Sequence, residues 1–313
     1  EKGFYDTKKN FAHFVKNSYI KYDNRLIEGD SLYYDRNREF ASATNNVKVT
    51  DSINKGIVRG HYGEVYRNQD SLVMTKRAVA ATLIEKDTLY IHGKKLMVTG
   101  KPENRVMRAF NNVRFYKIDM SGKCDSLHSN QKNGLTQLIG RPVIWNGENQ
   151  LTGKVIHLIS NPKTEKLDSL KVLTDAFIAS KDTLGTGYNQ VKGVNLYGKF
   201  RDNKLYEVDL VKNTEKLYYG YDKGQLAAID KGISSSIHLE LEDNKITTVT
   251  AFKNPESESY PEKDLPENGR KLRGFIWRGD EIIKSKDDIF PPEENEIHEK
   301  IVKHSKADKA KQD

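Results

Sequence analysis

The chain is poor in most of the residues that mark catalytic, membrane-spanning or helical proteins. A single cysteine, Cys124, stands among 313 residues, so no internal disulfide can form. No apolar run approaches the roughly 18–20 residues that a helix needs to cross a bilayer. Only Pro102, Pro142 and Pro162 precede residue 255, each beside polar turn formers, which is where a sheet tolerates proline. No stretch before residue 290 sustains a helical period over three turns. Hydrophobic residues make up 36% and mean hydropathy is −0.75, which suits a thin body with much surface per residue.

Signatures of chemistry fail on spacing. His298-Glu299 is followed by His304, which misses the helical interval of a zinc-protease pair. Gly185-Thr186-Gly187 lacks a third glycine and opens no helix, so it makes no phosphate cradle. The eight histidines are dispersed, and Cys124 has no CxxC partner and is expected to be buried packing. No catalytic residue, metal or cofactor is expected. Paired tyrosines at Tyr33-Tyr34 and Tyr218-Tyr219 could stack on bases, but inward packing accounts for half of them, and no nucleic-acid partner is expected.

Repetition is what the chain does have. Asp, Ser or Thr, and Leu recur at Asp30-Ser31-Leu32, Asp70-Ser71-Leu72, Asp87-Thr88-Leu89, Asp125-Ser126-Leu127, Asp168-Ser169-Leu170 and Asp182-Thr183-Leu184. Each aspartate reads as ordinary turn chemistry before a strand rather than as a calcium ligand. Ala43-Thr44-Asn45-Asn46-Val47-Lys48-Val49 returns as Ala109-Phe110-Asn111-Asn112-Val113-Arg114-Phe115, and Tyr5-Asp6 with Phe11-Ala12 returns as Tyr34-Asp35 with Phe40-Ala41. Such self-similarity marks a stack of alike units, each burying its apolar face on its neighbours.

Period-two alternation dominates, as in Leu96-Met97-Val98-Thr99 and Lys204-Leu205-Tyr206-Glu207-Val208-Asp209-Leu210. The chain is therefore all-β, a solenoid-like stack of strands in one continuous domain over about residues 1–290, with sub-modules at about 1–182 and 183–290. Residues 254–269 read as a long acidic loop and Leu272–Arg278 as one more strand. Residues 291–313, with five lysines against six acids, read as a frayed helix or a disordered tail. Net charge is +8, which the repeat body carries and which favours anionic partners. The first residues begin inside a repeat with no charged-then-apolar leader, so the numbering is expected to start at a mature or trimmed end.

The unit from Ile27 to Asp51, with Gly29-Asp30-Ser31-Leu32-Tyr33-Tyr34-Asp35, Phe40-Ala41-Ser42-Ala43 and Asn46-Val47-Lys48-Val49-Thr50, resembles the OstA/LptA-type family of lipopolysaccharide-transport proteins. Gly198–Leu205, Gly274–Asp280 and Lys284–Phe290 resemble its longer OstA-like members of the Bacteroidetes type. The resemblance implies a two-sheet β-jellyroll opened as a V, acyl chains of lipid A in the trough between the sheets, and modules joined through edge strands. It also implies a periplasmic location, with or without outer-membrane association, and partners among other jellyroll transport proteins at the inner and outer membranes or among further copies of the chain. This chain departs from the simple bridge protein in being far longer.

On that reading Leu32, Tyr34, Ala43, Val47, Val49, Leu72, Met74, Leu89, Ile91, Val113 and Phe115 line the trough. Lys48, Arg59, Lys94, Lys95 and Arg114 meet lipid phosphates at its rim. Two readings compete with a lipid carrier. One is a structural or glycan-binding β-solenoid with a packed interior, and the other is a carbohydrate-active enzyme whose acids cluster only in space.

Overall fold

The computed structural model describes residues 2–22, 24–53, 56–84, 86–164, 166–202, 204–243 and 245–310. These residues form twenty-one strands, a few single-turn 3-10 segments and one helix, Pro292–Ala310. The fold is all-β, and the strand pairings are antiparallel. Two compact units emerge. The first comprises Glu1–Ile118, Asp125–Lys132 and Ile283–Asp313, and the second Asp119–Cys124 and Asn133–Ile282. The expected sub-module boundary at 182/183 falls inside the second unit.

The recurring phrases differ in what they build. Asp6 and Asp35 close matching hairpins, in which Asp6 pairs with Phe11 and Asp35 with Phe40. The Asp6 carboxylate accepts the Lys8 and Lys9 amides at 2.9 and 2.8 Å, and Asp35 accepts Arg38 N–H at 3.0 Å. The Asp-Ser/Thr-Leu phrase has no single role, because Asp30 and Asp125 lie within strands while Asp70 takes a left-handed turn conformation.

The Asn-Asn phrase builds the corners. Both asparagines are left-handed in each copy, at φ 54° and 49° for Asn45 and Asn46 and 63° and 55° for Asn111 and Asn112. Asparagine tolerates this region better than other non-glycine residues. The same paired conformation recurs at Lys76-Arg77 and Thr174-Asp175, and twice more at the Lys-Asn pairs Lys212-Asn213 and Lys253-Asn254. Strand register shifts at these places, between Thr44 and Val47, Leu173 and Ala176, and Val211 and Thr214. Across the corner the neighbouring strand sends one amide back. His61 donates to the Lys76 carbonyl at 2.8 Å, Lys94 to Asn111 at 3.1 Å, Lys154 to Thr174 at 3.0 Å and Ser235 to Lys253 at 3.2 Å. A bulge of this kind bends a strand while keeping its buried face continuous.

On one side of the first unit's corners, Phe14, Leu32, Ala43, Gly63, Met74, Leu96 and Ala109 stand opposite one another in a single row. On the other side Ile20, Ile27, Val49, Val58, Ala80, Ile91 and Phe115 do the same. The second unit repeats the device with Leu138, Ile156, Val172, Leu196, Leu210 and Ile237, all fully buried or within 1% of it.

Two expectations for the C-terminal region need correction. Residues 254–269 hold a short strand, Glu256–Tyr260, paired with Ile229–Ile233, rather than loop alone. Leu272–Arg278 is not a strand, because side chains take the place of its ladder. The buried Gln190 accepts Leu272 N–H at 2.8 Å and donates to the Arg270 carbonyl at 2.9 Å. The buried Gln150 accepts Arg278 N–H at 2.7 Å and donates to the Ile276 carbonyl at 2.7 Å. Each amide thus engages C=O of one residue and N–H two residues on. The segment between is pinned over an outward face, where Leu265 and Leu272 pack with Phe177, Leu217, Tyr219 and Ile229.

Two stability measurements check this account. Asn112→Val is expected to cost about 1–2 kcal/mol in chemical denaturation, because a β-branched residue resists the left-handed region, while Asn112→Gly stays close to wild type. Gln190→Leu strands two backbone groups and is expected to cost about 1–3 kcal/mol, with faster tryptic cleavage at Arg270, Lys271 and Arg273.

Candidate functional site

Pleating turns alternate side chains to opposite faces, so the register assigns each expected site residue to a side. Leu32, Ala43 and Met74 share the first apolar row. Tyr34 and Leu72 stand in the next row on the same face, with Ala12, Ala41, Val65, Val98 and Met107. Beyond the corner, Val49, Ile91 and Phe115 share one row, and Val47, Leu89 and Val113 lie two residues along their own strands from members of it. All eleven are therefore on the inward face. Nine are buried, from Leu32, Met74 and Val113 at 0% exposure to Ile91 at 6%, while Tyr34 and Leu89 are half-buried. Acyl chains would reach these surfaces only by parting the layers that cover them.

The basic residues take the other side. Glu28, Lys48, Arg59, Val79, His92 and Arg114 form one outward row, back to back with Val49, Val58 and Phe115. Lys48 pairs with Glu28 at 2.9 Å, and Arg59, Lys94 and Lys95 are exposed. Arg114 is half-buried and donates to the Asp288 carbonyl at 3.4 Å. Period-two alternation places Lys48, Arg59 and Arg114 behind the apolar face, not around its rim.

What covers the Val79, His92 and Arg114 part of that row is the chain's own C-terminal segment. Ile283, Ile289 and Phe290 pack on Val79, Tyr90 and Tyr116. Arg77 stacks over the Phe290 ring at 3.5 Å and its guanidinium donates to the Asn295 side chain at 2.9 Å. The helix that follows is docked rather than frayed. His298 meets His61 at 2.9 Å, Glu294 approaches His92 at 3.7 Å, and Ser305 hydrogen-bonds both Asp30 and Asn46. Burial pushes His61 and His92 down to about 4, with nearby cations adding to the effect, and it lowers His298 as well. Burial also raises the Glu294 carboxyl, which Arg77 partly offsets. None of these contacts is legible locally, since more than 200 positions separate His61 from His298.

One further cluster gathers residues that are scattered in sequence. Glu207, Asp209 and His238 bring ligand atoms within 4.8 Å of one another on neighbouring strands. His238 Nδ1 lies 2.8 Å from the Asp209 carboxylate, and Lys199 already neutralises Glu207 at 2.7 Å. The group is half-exposed, and Lys199 on Glu207 and His238 on Asp209 already occupy both carboxylates, which describes a surface polar network. Among the described residues no helix is long and apolar enough to cross a membrane.

No family model matches the chain, and no curated protein matches it. Among solved structures it is similar to LptH, the LptA homologous periplasmic component of the conserved lipopolysaccharide transport device from Pseudomonas aeruginosa. That similarity has a TM-score of 0.34 and 14% sequence identity, and it covers 45% of this chain and 94% of that one.

If Arg114 serves the C-terminal segment and not a ligand at the rim, Arg114→Gln should speed tryptic cleavage at Lys284 and Lys286. Arg59→Gln, on the same row but uncovered, should leave that cleavage rate unchanged.

Proposed function

We propose that the chain is a non-enzymatic lipid carrier or bridge of the bacterial envelope, holding acyl chains of a lipopolysaccharide-class lipid against the inward face of its bent strands. The observation that carries this reading is the one-sided register. Row after row of apolar side chains lies on one face across successive strands, and most charged residues of those strands lie on the other, the buried Arg25 and Asp51 at the end of the inward face excepted. Burying hydrocarbon yields about 0.8 kcal/mol per CH₂, so a twelve-carbon chain gains roughly 9 kcal/mol. The interaction is non-directional, so a chain can slide from row to row without breaking a hydrogen bond at each step. Small residues within the rows, Ala43, Gly63, Ala80 and Ala109, leave the least bulk to move aside. The OstA/LptA-type resemblance of the repeat unit supports the same lipid class and a periplasmic setting. End strands such as Lys2–Asp6, paired with Lys2↔Val15 to Asp6↔Phe11 register, offer backbone for docking onto jellyroll partners or further copies.

The near-complete burial of the inward rows favours a second reading, a structural or glycan-binding β-solenoid whose interior stays packed. Photo-crosslinking separates the two. With p-benzoylphenylalanine at Phe115, irradiation in the presence of lipopolysaccharide is expected to yield a lipid adduct, and the same probe at Arg59 none. Adducts at Arg59 alone would point to surface binding of the glycan portion. Silence at both positions would mean that the interior does not admit lipid.

A further inference from the structure

The C-terminal helix crosses the strands at their corners. Ser305 sits at Asp30 and Asn46, His298 at His61, and Asn295 and Glu294 at Arg77 and His92. Those partners follow the lateral order of the strands that carry them. A helix rises about 5.4 Å per turn and strands lie about 4.8 Å apart, so each turn meets roughly one strand. The interface is polar, and its centre is a pair of histidines whose hydrogen bonds fix their protonation.

The Asn46 amide donates to His61 Nδ1 at 3.3 Å, so that nitrogen carries a lone pair. His61 Nε2 must then hold the proton, and it donates to His298 Nδ1 at 2.9 Å. Protonating His61 removes the acceptor for Asn46, and protonating His298 at Nδ1 sets two N–H groups against each other. The interface thus accepts only the neutral form of both rings. The surrounding charges do not favour the cations either. Arg77 and Lys76 face His61, with Asp30 the opposing acid, and Arg77 also faces His298, with Glu299 as its acid. At the helix's first turn, His92 donates from Nδ1 to the Ala78 carbonyl at 2.8 Å and turns its unprotonated Nε2 toward Glu294.

We infer that the C-terminal helix is an acid-released latch, held closed by the neutral His61–His298 pair and opened when either ring gains a proton. The sign follows from linkage. Undocking returns His298 to solvent, where a histidine titrates near 6.5, and removes the His298 contact and part of the burial that hold His61 down to about 4. The undocked state therefore binds more protons as pH falls below about 6.5, and docking is progressively lost from there toward pH 4. Glu294, whose carboxyl is raised by burial beside Glu293 and held back by Arg77, Lys94 and Arg114, acts in the opposite sense, and it stands against His61 and His298, with His92, also lowered by burial, on their side. Opening breaks the contacts of His61, Arg77 and His92 with His298, Asn295 and Glu294.

Hydrogen exchange followed by mass spectrometry on the full chain tests this, with amide rates corrected for their intrinsic pH dependence. Between pH 7.5 and 5.5 the opening equilibrium of residues 292–305 should rise by up to about tenfold for each histidine engaged, while strand 106–117 keeps its protection. The double variant His61→Gln/His298→Gln keeps hydrogen-bonding side chains without a titrating ring, and its helix should respond little to pH. His298→Lys, which carries a permanent charge, should leave the helix open already at pH 7.5. Equal pH response in the glutamine variant, or no response in the native chain, would overturn the latch. So would a fully protected helix in His298→Lys.

Discussion

A pleated strand has two faces, and only one of them can be kept dry by a second layer. Everything in this protein depends on preserving that parity through a bend. A strand that changes direction by ordinary coil loses its register, and an apolar residue on the next segment then emerges on either side. Two consecutive left-handed residues solve the problem, because Ala43 and Val49, or Ala109 and Phe115, remain on the buried face at both ends of the corner. The apolar rows, the outward charge row and the docking line of the helix all follow from that local geometry.

Much of this was legible in the sequence, for a physical reason. Alternation reports face directly, so Leu32, Val49, Met74 and Phe115 could be assigned to one side from their neighbours alone. The Asn-Asn copies could be seen as copies, since asparagine is the residue that best tolerates the corner. The corner itself was not legible at Lys76-Arg77, where tertiary context imposes the same backbone on residues with no such preference. The basic residues were seen, but a rim position was assigned to Lys48, Arg59 and Arg114 against the same alternation that places them behind the sheet.

The C-terminal region was the least legible part, because its partners are remote. Leu272–Arg278 has strand-like composition and makes strand-like hydrogen bonds, but it makes them to Gln150 and Gln190. A polar, lysine-rich stretch after residue 290 carries no apolar stripe, so a helix there has nothing to recommend it until a polar surface is present to receive it. That surface is assembled from Asp30, Asn46, His61, Arg77 and His92, each on a different strand or corner.

The grip of the two buried glutamines has a consequence for how this region can change over time. A carboxamide that engages a carbonyl and the amide two residues later touches nothing that distinguishes one amino acid from another. Apart from proline at the two donating positions, the held stretch is free to vary its side chains without loosening its hold. Gln150 and Gln190 work as clasps indifferent to lettering, so the region they secure can acquire new specificities while its path stays the same.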